Sequence, residues 1–253
     1  MPERLIRKNI EKLIEKQIPV WVYRSVSSTN TLAKRLVLKD KALPFLVAAN
    51  GQTKGKGRQG KSFFSKQNCG IYMTLAVESP LLNPTLITAA TAVAVARAIN
   101  ENTSSPCKIK WVNDIFINSK KVCGILCEAV RAPESNEITG YIIGIGINTD
   151  IKSFPDFIKD TAASVELKKG LKNVLVADIV NRLLRPLDNN DNNFLEEYRR
   201  LSCVLGKEIV FFEKGVPCSA VAVGIDDCGG LFVELESGEK RTLSGGEISL
   251  RVK

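Results

Sequence analysis

The chain has 253 residues, 44% of them hydrophobic and 25% charged, which is typical of a soluble globular protein with a sizeable core. Its formal net charge of +9 fits three kinds of partner: nucleic acid, an anionic small ligand or an acidic protein. Because the sequence contains no histidine, it excludes serine–histidine and cysteine–histidine nucleophilic catalysis.

No apolar run is long enough to span a bilayer, and the N-terminus lacks the features of a secretory signal. A cytoplasmic protein without a membrane partner is therefore expected. The seven cysteines lack the paired CxxC spacing of a thiolate zinc site. We expect buried, reduced thiols rather than disulfides or metal ligands.

The first predicted elements are a short amphipathic helix over residues 5–14 and a strand over Val20–Val26. A second helix is predicted over Thr31–Leu38. Ser28 or Thr29 is expected to be its N-cap, which satisfies free backbone donors in the first turn. That role is compatible with a ligand contact by the neighbouring hydroxyl.

An apolar strand, Phe45–Ala49, leads into the glycine-rich cationic segment Asn50–Gly60. Three of its glycines match the dinucleotide-binding pattern GxGxxG, but that fold requires a helix to begin there. The sequence continues instead into a strand, Ile71–Val77, so we reject the dinucleotide fold. Glycines alternating with lysine and arginine favour a flexible cover over a phosphate group rather than a merely solvated loop.

The clearest helix is predicted over Thr85–Asn100, where proline precedes a run of alanine and valine that indicates packing in the core. Two short strands, Ile115–Ile117 and Val122–Cys127, are then predicted to form a hairpin with a tight polar turn. The charged and amide residues around this hairpin are explained most simply by a solvated face, and the alternative is a functional site.

Tyr141–Asn148, with the sequence YIIGIGIN, is predicted to be a buried strand. Glycine weakens a strand unless a backbone or a ligand approaches closely, so its two glycines mark such an approach. An exposed sheet edge in this region would allow the chain to pair with its own copy, which predicts a homodimer.

Helices are predicted over Leu175–Leu187 and Phe194–Leu201. The sequence then changes to short strands separated by glycine-containing turns, namely Glu208–Phe212, Ser219–Ile225, Leu231–Leu235 and Lys240–Leu243. This pattern is typical of a small β-barrel appended to a larger domain, with a boundary near Cys203–Gly206.

Four motifs, taken together and in this order, resemble the biotin protein ligases. They are SSTN (Ser27–Asn30), GQTKGKGRQGKSF (Gly51–Phe63), KWVNDI with KKVCGILCE (Lys110–Glu128) and GIGIN (Gly144–Asn148). The resemblance extends from about Val20 to the end of the chain. It implies an α+β fold with a mixed-sheet catalytic domain, residues 1–204, resembling that of class II aminoacyl-tRNA synthetases and biotin ligases, and a C-terminal SH3-like β-barrel, residues 205–253.

About twenty residues precede Val20, too few for the N-terminal DNA-binding domain that some family members carry. The expectation is a monofunctional ligase that binds no DNA.

The resemblance implies a reaction in two steps. Biotin first reacts with ATP, in the presence of Mg²⁺, to give biotinyl-5′-AMP and pyrophosphate. A specific lysine of a biotin carboxyl carrier protein, part of acetyl-CoA carboxylase or another biotin-dependent carboxylase, then accepts the biotin and releases AMP. A lipoate–protein ligase is the alternative enzyme, and a basic nucleic-acid-binding protein is the alternative of another class.

The resemblance also implies roles for individual residues. Biotin is expected to contact Ser28, Thr29, Asn30, Gln52, Gly55, Lys56, Arg58, Lys121, Gly124, Leu126 and Gly146. ATP is expected to contact Arg58, Phe63, Lys110, Asn113, Lys121 and Asn148. Catalytic roles are expected for Arg58, Lys121, Asp114 and Asn113. The position of Mg²⁺ is not assigned beyond the neighbourhood of Asn113.

Two positions depart from the family's pattern. Val112 occupies the place of the usual proline, which changes the local backbone rigidity. Lys56 replaces a common arginine, which keeps the charge but loses the bidentate geometry of a guanidinium.

Overall fold

The structure, a computed structural model, describes residues 3–78, 83–189, 193–213, 215–246 and 248–250. Its elements in chain order are α1 (Arg7–Glu11), β1 (Val20–Tyr23), α2 (Thr29–Val37), β2 (Phe45–Ala49), β3 (Gly70–Val77), α3 (Pro84–Asn102), β4 (Lys108–Lys110), β5 (Asp114–Ile117), β6 (Lys120–Arg131), β7 (Ile138–Asn148), α4 (Leu171–Asn189), α5 (Phe194–Leu201), β8 (Glu208–Glu213), β9 (Val216–Ile225), β10 (Leu231–Leu235), β11 (Lys240–Leu243) and β12 (Ile248–Leu250).

The larger sheet has seven strands in the order β1-β2-β3-β7-β6-β5-β4. Its β1–β2 pair is parallel and the other pairs are antiparallel, so the sheet is mixed, as predicted. Side chains alternate between the two faces: Leu46 and Ala48 of β2 pack with α3 and α4, whereas Phe45 and Val47 pack with α2. The sheet is thereby covered on both faces, and the predicted α+β class is confirmed.

Helix α3 forms as the sequence predicts. The Asn83 side chain accepts a hydrogen bond from the Leu86 N–H (2.9 Å), and Pro84 occupies the first helical position. The alanines and valines of this helix are buried in the core, which confirms the expectation of close packing.

Most predicted elements differ by a few residues in their bounds, and three of the differences have a visible cause or change the length of the element. The N-terminal helix is shorter than predicted and consists of α1 alone. Strand β1 ends at Tyr23 rather than Val26, because Val26 forms an isolated bridge with Gln52 outside the strand. Helix α4 begins four residues before the predicted Leu175. Its early start depends on Glu3, whose carboxylate accepts from the backbone N–H groups of Gly170 and Lys172, a contact distant in sequence.

The predicted route to a homodimer is wrong. Tyr141–Asn148 lies in β7, which pairs with β3 on one side and with β6 on the other. Within the described residues, 141–147 therefore have a neighbouring strand on both sides and present no sheet edge. Its largely apolar, buried side chains reflect that interior position.

The four predicted C-terminal strands are present and form an antiparallel sheet in the order β11-β10-β9-β8-β12. Strand β12, a three-residue strand that pairs with β8, was not predicted, because so short a segment carries no periodic signal. This β-barrel is packed against the large sheet: Trp111 Nε1 donates to Gly229 O (2.9 Å), and the apolar residues of both parts form one continuous core.

None of the helices in the described ranges is both long and apolar enough to cross a membrane.

All seven cysteines are free thiols, but only Cys107 and Cys123 are fully buried, so the expectation of burial holds for two. Burial raises the pKa of the Cys107 thiol to about 12 and moves the pKa of Cys123 in the same direction. Both therefore stay neutral and behave as small apolar side chains.

Candidate active site

A cavity of about 340 Å³ lies between the large sheet and the β-barrel. Its walls come from the start of α2, the hairpin β5–β6, strand β7 and residues 50–69, which we call the cationic loop. The structure brings together most of the residues expected for the site: Ser28, Thr29, Asn30, Gln52, Lys56, Arg58, Phe63, Lys110, Asn113, Asp114, Lys121, Gly124, Leu126 and Gly146.

The start of α2 forms a polar wall of this cavity. Ser28 is the N-cap, and its Oγ accepts from the Thr31 N–H, as the sequence predicts. The Gln52 side-chain oxygen accepts from the N–H (2.8 Å) and hydroxyl (3.2 Å) of Thr29, while Gln52 Nε2 donates to Ser65 Oγ (2.9 Å). Gln52 thus joins the helix to both arms of the cationic loop.

Asn30 links the neighbouring elements through its amide. Its Nδ2 donates to Leu126 O (3.2 Å) and Glu128 Oε2 (2.7 Å), and its Oδ1 accepts from the Thr74 hydroxyl (2.7 Å). A Cβ on Gly144 would lie 2.1 Å from that oxygen, so only glycine fits beside Asn30. The amide is committed to protein partners, which makes Asn30 a support for the cavity wall.

Gly124 on β6 and Gly146 on β7 lie opposite each other in the sheet, and Gly144 lies two residues before Gly146 on β7. We call these three cavity-lining residues the glycine floor. The Phe63 ring lies against the floor, because a Cβ on Gly146 would be 2.5 Å from its Cε1. The phenyl ring expected to contact ATP therefore contacts the surface expected to hold biotin. In this structure the ring itself fills the space over Gly124 and Gly146.

Cations dominate the remaining polar lining. The cavity is lined by the cations Lys56, Arg58, Lys61, Lys110 and Lys121, with Asp114 as the one carboxylate among the described lining residues. Asp114 Oδ1 and Lys121 Nζ lie 2.6 Å apart across the hairpin. A bulge after Ile115 shifts the register by one residue and pairs Lys121 with Phe116, which re-aims the lysine side chain. Such a lining favours anionic groups.

Arg58 connects the cationic loop to the hairpin. It lies in a single 3₁₀ turn, Arg58–Gly60, and its Nη1 donates to Asn113 Oδ1 (3.1 Å). Asn113 is itself fixed to Ile125 by two hydrogen bonds. The Asn113 Nδ2 donates to Ile125 O (2.8 Å), and the Ile125 N–H donates to Asn113 O (3.0 Å). The guanidinium is thereby placed at the cavity, which Arg58 lines, and it carries further N–H donors beside the one that binds Asn113.

The segment around Val112 is anchored on both sides. The Trp111–Val112 peptide bond is cis, and the Tyr198 hydroxyl of α5 donates to Val112 O (2.8 Å). Burial raises the pKa of Tyr198 well above its usual range, so the hydroxyl stays a neutral donor. Together with the bond from Trp111 to Gly229, this contact fixes the start of β5.

Two expected site residues do not line the cavity. Gly55 lies behind it, where a Cβ would be 2.5 Å from Phe63 O, and its own carbonyl accepts from the Phe63 N–H. Gly55 therefore shapes the cationic loop. Asn148 ends β7 and is 5% exposed; its Nδ2 donates to Ala163 O, but its Oδ1 has no partner within the described residues.

Sequence analysis missed several residues of the site. Gly144 belongs to the GIGIN motif, so its signal was visible, but its function depends on Asn30. Lys61 follows the glycine-rich segment and was not assigned either. Phe212 and Ile248 reach the cavity from the β-barrel. No sequence pattern indicates which barrel residues face the large sheet, since that depends on how the two parts pack.

Two family models match this sequence. The Biotin/lipoate A/B protein ligase family matches residues 22–148, and the Biotin protein ligase C terminal domain matches residues 204–251. These two ranges contain the cavity residues of the large sheet and of the barrel, respectively.

Named relatives and solved structures agree with this match. The bifunctional ligase/repressor BirA of Bacillus subtilis is 31% identical over 236 residues, which is 88% of this chain and 72% of that protein. The biotin--[acetyl-CoA-carboxylase] ligase of Mycobacterium tuberculosis is 24% identical and covers 80% of this chain and 77% of that protein. A biotin protein ligase from Aquifex aeolicus, solved with biotin and ATP, superposes with a TM-score of 0.75 at 24% identity, covering 93% of this chain and 99% of the other. The chain belongs to the biotin protein ligases.

Proposed function

We propose that this cavity carries out both steps of protein biotinylation. In the first step a biotin carboxylate oxygen attacks the α-phosphorus of ATP, which yields biotinyl-5′-AMP and expels pyrophosphate. In the second, a lysine amine of the carrier protein attacks the acyl carbon and expels AMP. The observation that carries the proposal is the junction of the glycine floor with a cationic lining, which suits an apolar ligand with an anionic end.

Biotin lies, in this proposal, on the glycine floor in the place that the Phe63 ring occupies in this structure, so the ring moves aside when biotin binds. Thr29 and Gln52 orient its polar end, and Lys121 faces its carboxylate. A substituent on Gly146 would displace the Phe63 ring and fill this space. The protein supplies position and charge rather than a nucleophile, in accord with a chain without histidine.

ATP places its phosphates against Arg58, Lys110 and Lys121. Lys110 is held near the rim by the Phe116 ring, whose centroid lies 5.4 Å from its Nζ. The unpartnered Oδ1 of Asn148 supplies a buried acceptor, which an N–H donor of the nucleotide base satisfies once the side chain adjusts.

Mg²⁺ accompanies ATP in this proposal. Mg²⁺ prefers oxygen ligands and is commonly held by substrate phosphates with one or two carboxylates, and Asp114 provides one carboxylate in the cavity. When bound, the ion neutralises phosphate charge. Asn113 is the weaker candidate, because its Oδ1 already accepts from Arg58.

The carrier is a biotin carboxyl carrier protein, and we propose that the one used is part of acetyl-CoA carboxylase. The decisive experiment mixes purified protein with biotin, ATP, Mg²⁺ and such a carrier domain. The expected result is a carrier mass increased by one biotinyl group; no increase would refute the proposal.

Competition calorimetry with lipoate distinguishes the alternative ligase, for which lipoate would bind more tightly than biotin. Salt-sensitive DNA binding would support the nucleic-acid alternative.

Three further properties are proposed. The proposed division into domains at residues 204 and 205 is supported by the second matched range, which begins at residue 204. Cytoplasmic residence is supported by seven free thiols and by ATP as a substrate. A homodimer would use the outer edge of β6 beyond Gly124, where β5 has ended. Sedimentation with and without biotin and ATP tests it, and a monomer in both conditions would contradict it.

A further inference from the structure

Lys172 is a buried lysine that the proposed reaction does not use. It is 2% exposed and lies in the first turn of α4. Burying an ammonium group is costly unless its charge and its donors are compensated. A cation in the first turn is also opposed by the helix dipole. Local helix formation therefore gives no reason for a lysine at this position.

Three acceptors surround the Lys172 ammonium. Its Nζ lies 2.8 Å from Asn68 O, 2.6 Å from Asp150 Oδ2 and 3.2 Å from Glu3 O. An ammonium has three N–H donors, and each has an acceptor here. The acceptors belong to the end of the cationic loop, the residues just after β7 and the N-terminal segment, which are distant from one another in sequence.

Asn68 closes the cationic loop. Its N–H donates to Asn50 O (2.6 Å), and its φ of +60° lies in the left-handed region that asparagine tolerates. The following carbonyl, Cys69 O, accepts from the N–H groups of Thr149 and Asp150 (3.2 Å each). The end of the loop is thereby fixed to the end of β7, directly beside Lys172.

The other end of the loop is fixed in a similar way. The Asn50 side chain accepts from Leu5 N (2.8 Å) and donates to Leu5 O (3.3 Å), so the N-terminal segment holds the first residue of the loop. Lys172 contacts that same segment at Glu3. Both ends of the cationic loop are therefore held by one connected set of contacts, which centres on the buried Lys172 and Asn50 side chains.

We propose that Lys172 is a positioning residue for biotinylation, acting through Asn68 and Asp150 on the cationic loop. By holding these two residues together it sets where Gln52, Arg58 and Phe63 lie over the cavity, without touching a substrate. This inference rests on the proposed function. Small displacements of positioning groups distant from the chemistry reduce rates strongly, so the effect is large for a residue outside the cavity.

The test is Lys172→Met, which keeps the length of the side chain and removes its charge. We expect the KM for biotin to rise about tenfold to a hundredfold, with a smaller fall in kcat and faster loss of the adenylate. Lys169→Met is the charge-matched control, because Lys169 is exposed on the segment before α4. Val180→Ala is the stability control, because Val180 is buried on the same helix away from the loop.

Amide hydrogen exchange over residues 51–66 provides a second readout. Biotin and ATP should protect these amides in the wild-type protein and in Val180→Ala, and protect them less in Lys172→Met. The inference is overturned if Lys172→Met has the biotin KM and the loop protection of Val180→Ala at equal stability, because the lysine then only stabilises the fold.

Asp150→Asn is the second variant, to be used if Lys172→Met does not fold. The Asp150 side chain is 38% exposed, and the substitution keeps its volume while removing the charge that faces Lys172. A raised biotin KM supports the inference and an unchanged KM overturns it. A wild-type protein that cannot biotinylate the carrier would instead refute the proposed function itself.

Discussion

The glycine floor and the cationic loop lie on opposite sides of one cavity and are built in opposite ways. The floor belongs to two interior strands, and its shape depends on buried contacts such as those of Asn30. The loop is rich in exposed lysines and contains one short 3₁₀ turn, with Gln59 in the left-handed region at φ 52°.

This difference separates two tasks. A rigid floor selects a ligand by shape, because misfit in a packed site has a steric cost. A loop that is tied to its surroundings by a few side chains, such as Gln52 and Arg58, orders over a ligand and releases it, with the entropy of ordering offset by charge-assisted contacts. Substitutions in the floor should therefore change the free energy of unfolding together with the affinity for the ligand. Substitutions in the loop should change the retention of the adenylate with little change in the free energy of unfolding.

The largest effect is expected from Lys121→Ala on the floor side. In the proposed reaction Lys121 faces the point where negative charge accumulates during adenylation, and losing such a preorganised group costs about 2.7–4 kcal/mol. Biotin-dependent pyrophosphate release measures this loss. Lys120→Ala, at the exposed neighbouring residue of the same turn, is the matched control. Pyrophosphate release near the wild-type rate would show that Lys121 is only a surface residue.

Arg58→Gly should weaken retention of the adenylate by about 1.5–3 kcal/mol, the range of hydrogen bonds to charged groups. The unfolding free energy should hardly change, because the hydrogen bond from Arg58 to Asn113 joins a partly exposed loop to the hairpin. Released adenylate should then label an unrelated lysine-rich protein, detectable by mass. Lys54→Gly is the control with equal charge loss and flexibility. An unlabelled bystander and slow adenylate release would contradict the role of Arg58.

Gly144→Ala should lower the free energy of unfolding by about 1–3 kcal/mol, the usual cost of overpacking. The added methyl group would meet Asn30 Oδ1, which is held by Thr74. Urea unfolding measures the change. The same substitution should cost less in an Asn30→Ala background, because the obstructing oxygen is gone. Equal costs in both backgrounds would disprove the steric explanation.

The smallest effect is expected from Lys56→Arg in the loop. Lys56 is exposed, so a guanidinium there adds less than about 1 kcal/mol to retention of the adenylate. The dissociation half-life should lengthen by less than about fivefold. A larger gain in half-life would mean that Lys56 limits retention of the adenylate. It would also mean that the loop closes over the ligand more tightly than the exposure of Lys56 indicates.

The sequence by itself determined the regular elements with strong periodicity or clear caps. Asn83-Pro84 placed the start of α3, short strand-like runs between glycine-containing turns placed β8 and β10, and Asn118-Ser119 placed the turn of the hairpin. Both turn residues have positive φ, as a two-residue hairpin turn of this kind requires. These features depend on near neighbours along the chain, so their signals are local.

The motif residues were also predictable as a set, because glycines and cations in apolar strands conflict with local preference and therefore mark a site. Only the tertiary structure decided how they are used. The register of β6 against β7 brings Gly124 to Gly146, and packing brings the barrel's Ile248 to the cavity. Likewise, the position of Lys172 beside Asn68 depends on contacts more than one hundred residues apart in sequence. Such contacts form only when the whole core is assembled, which is why no local pattern encodes them.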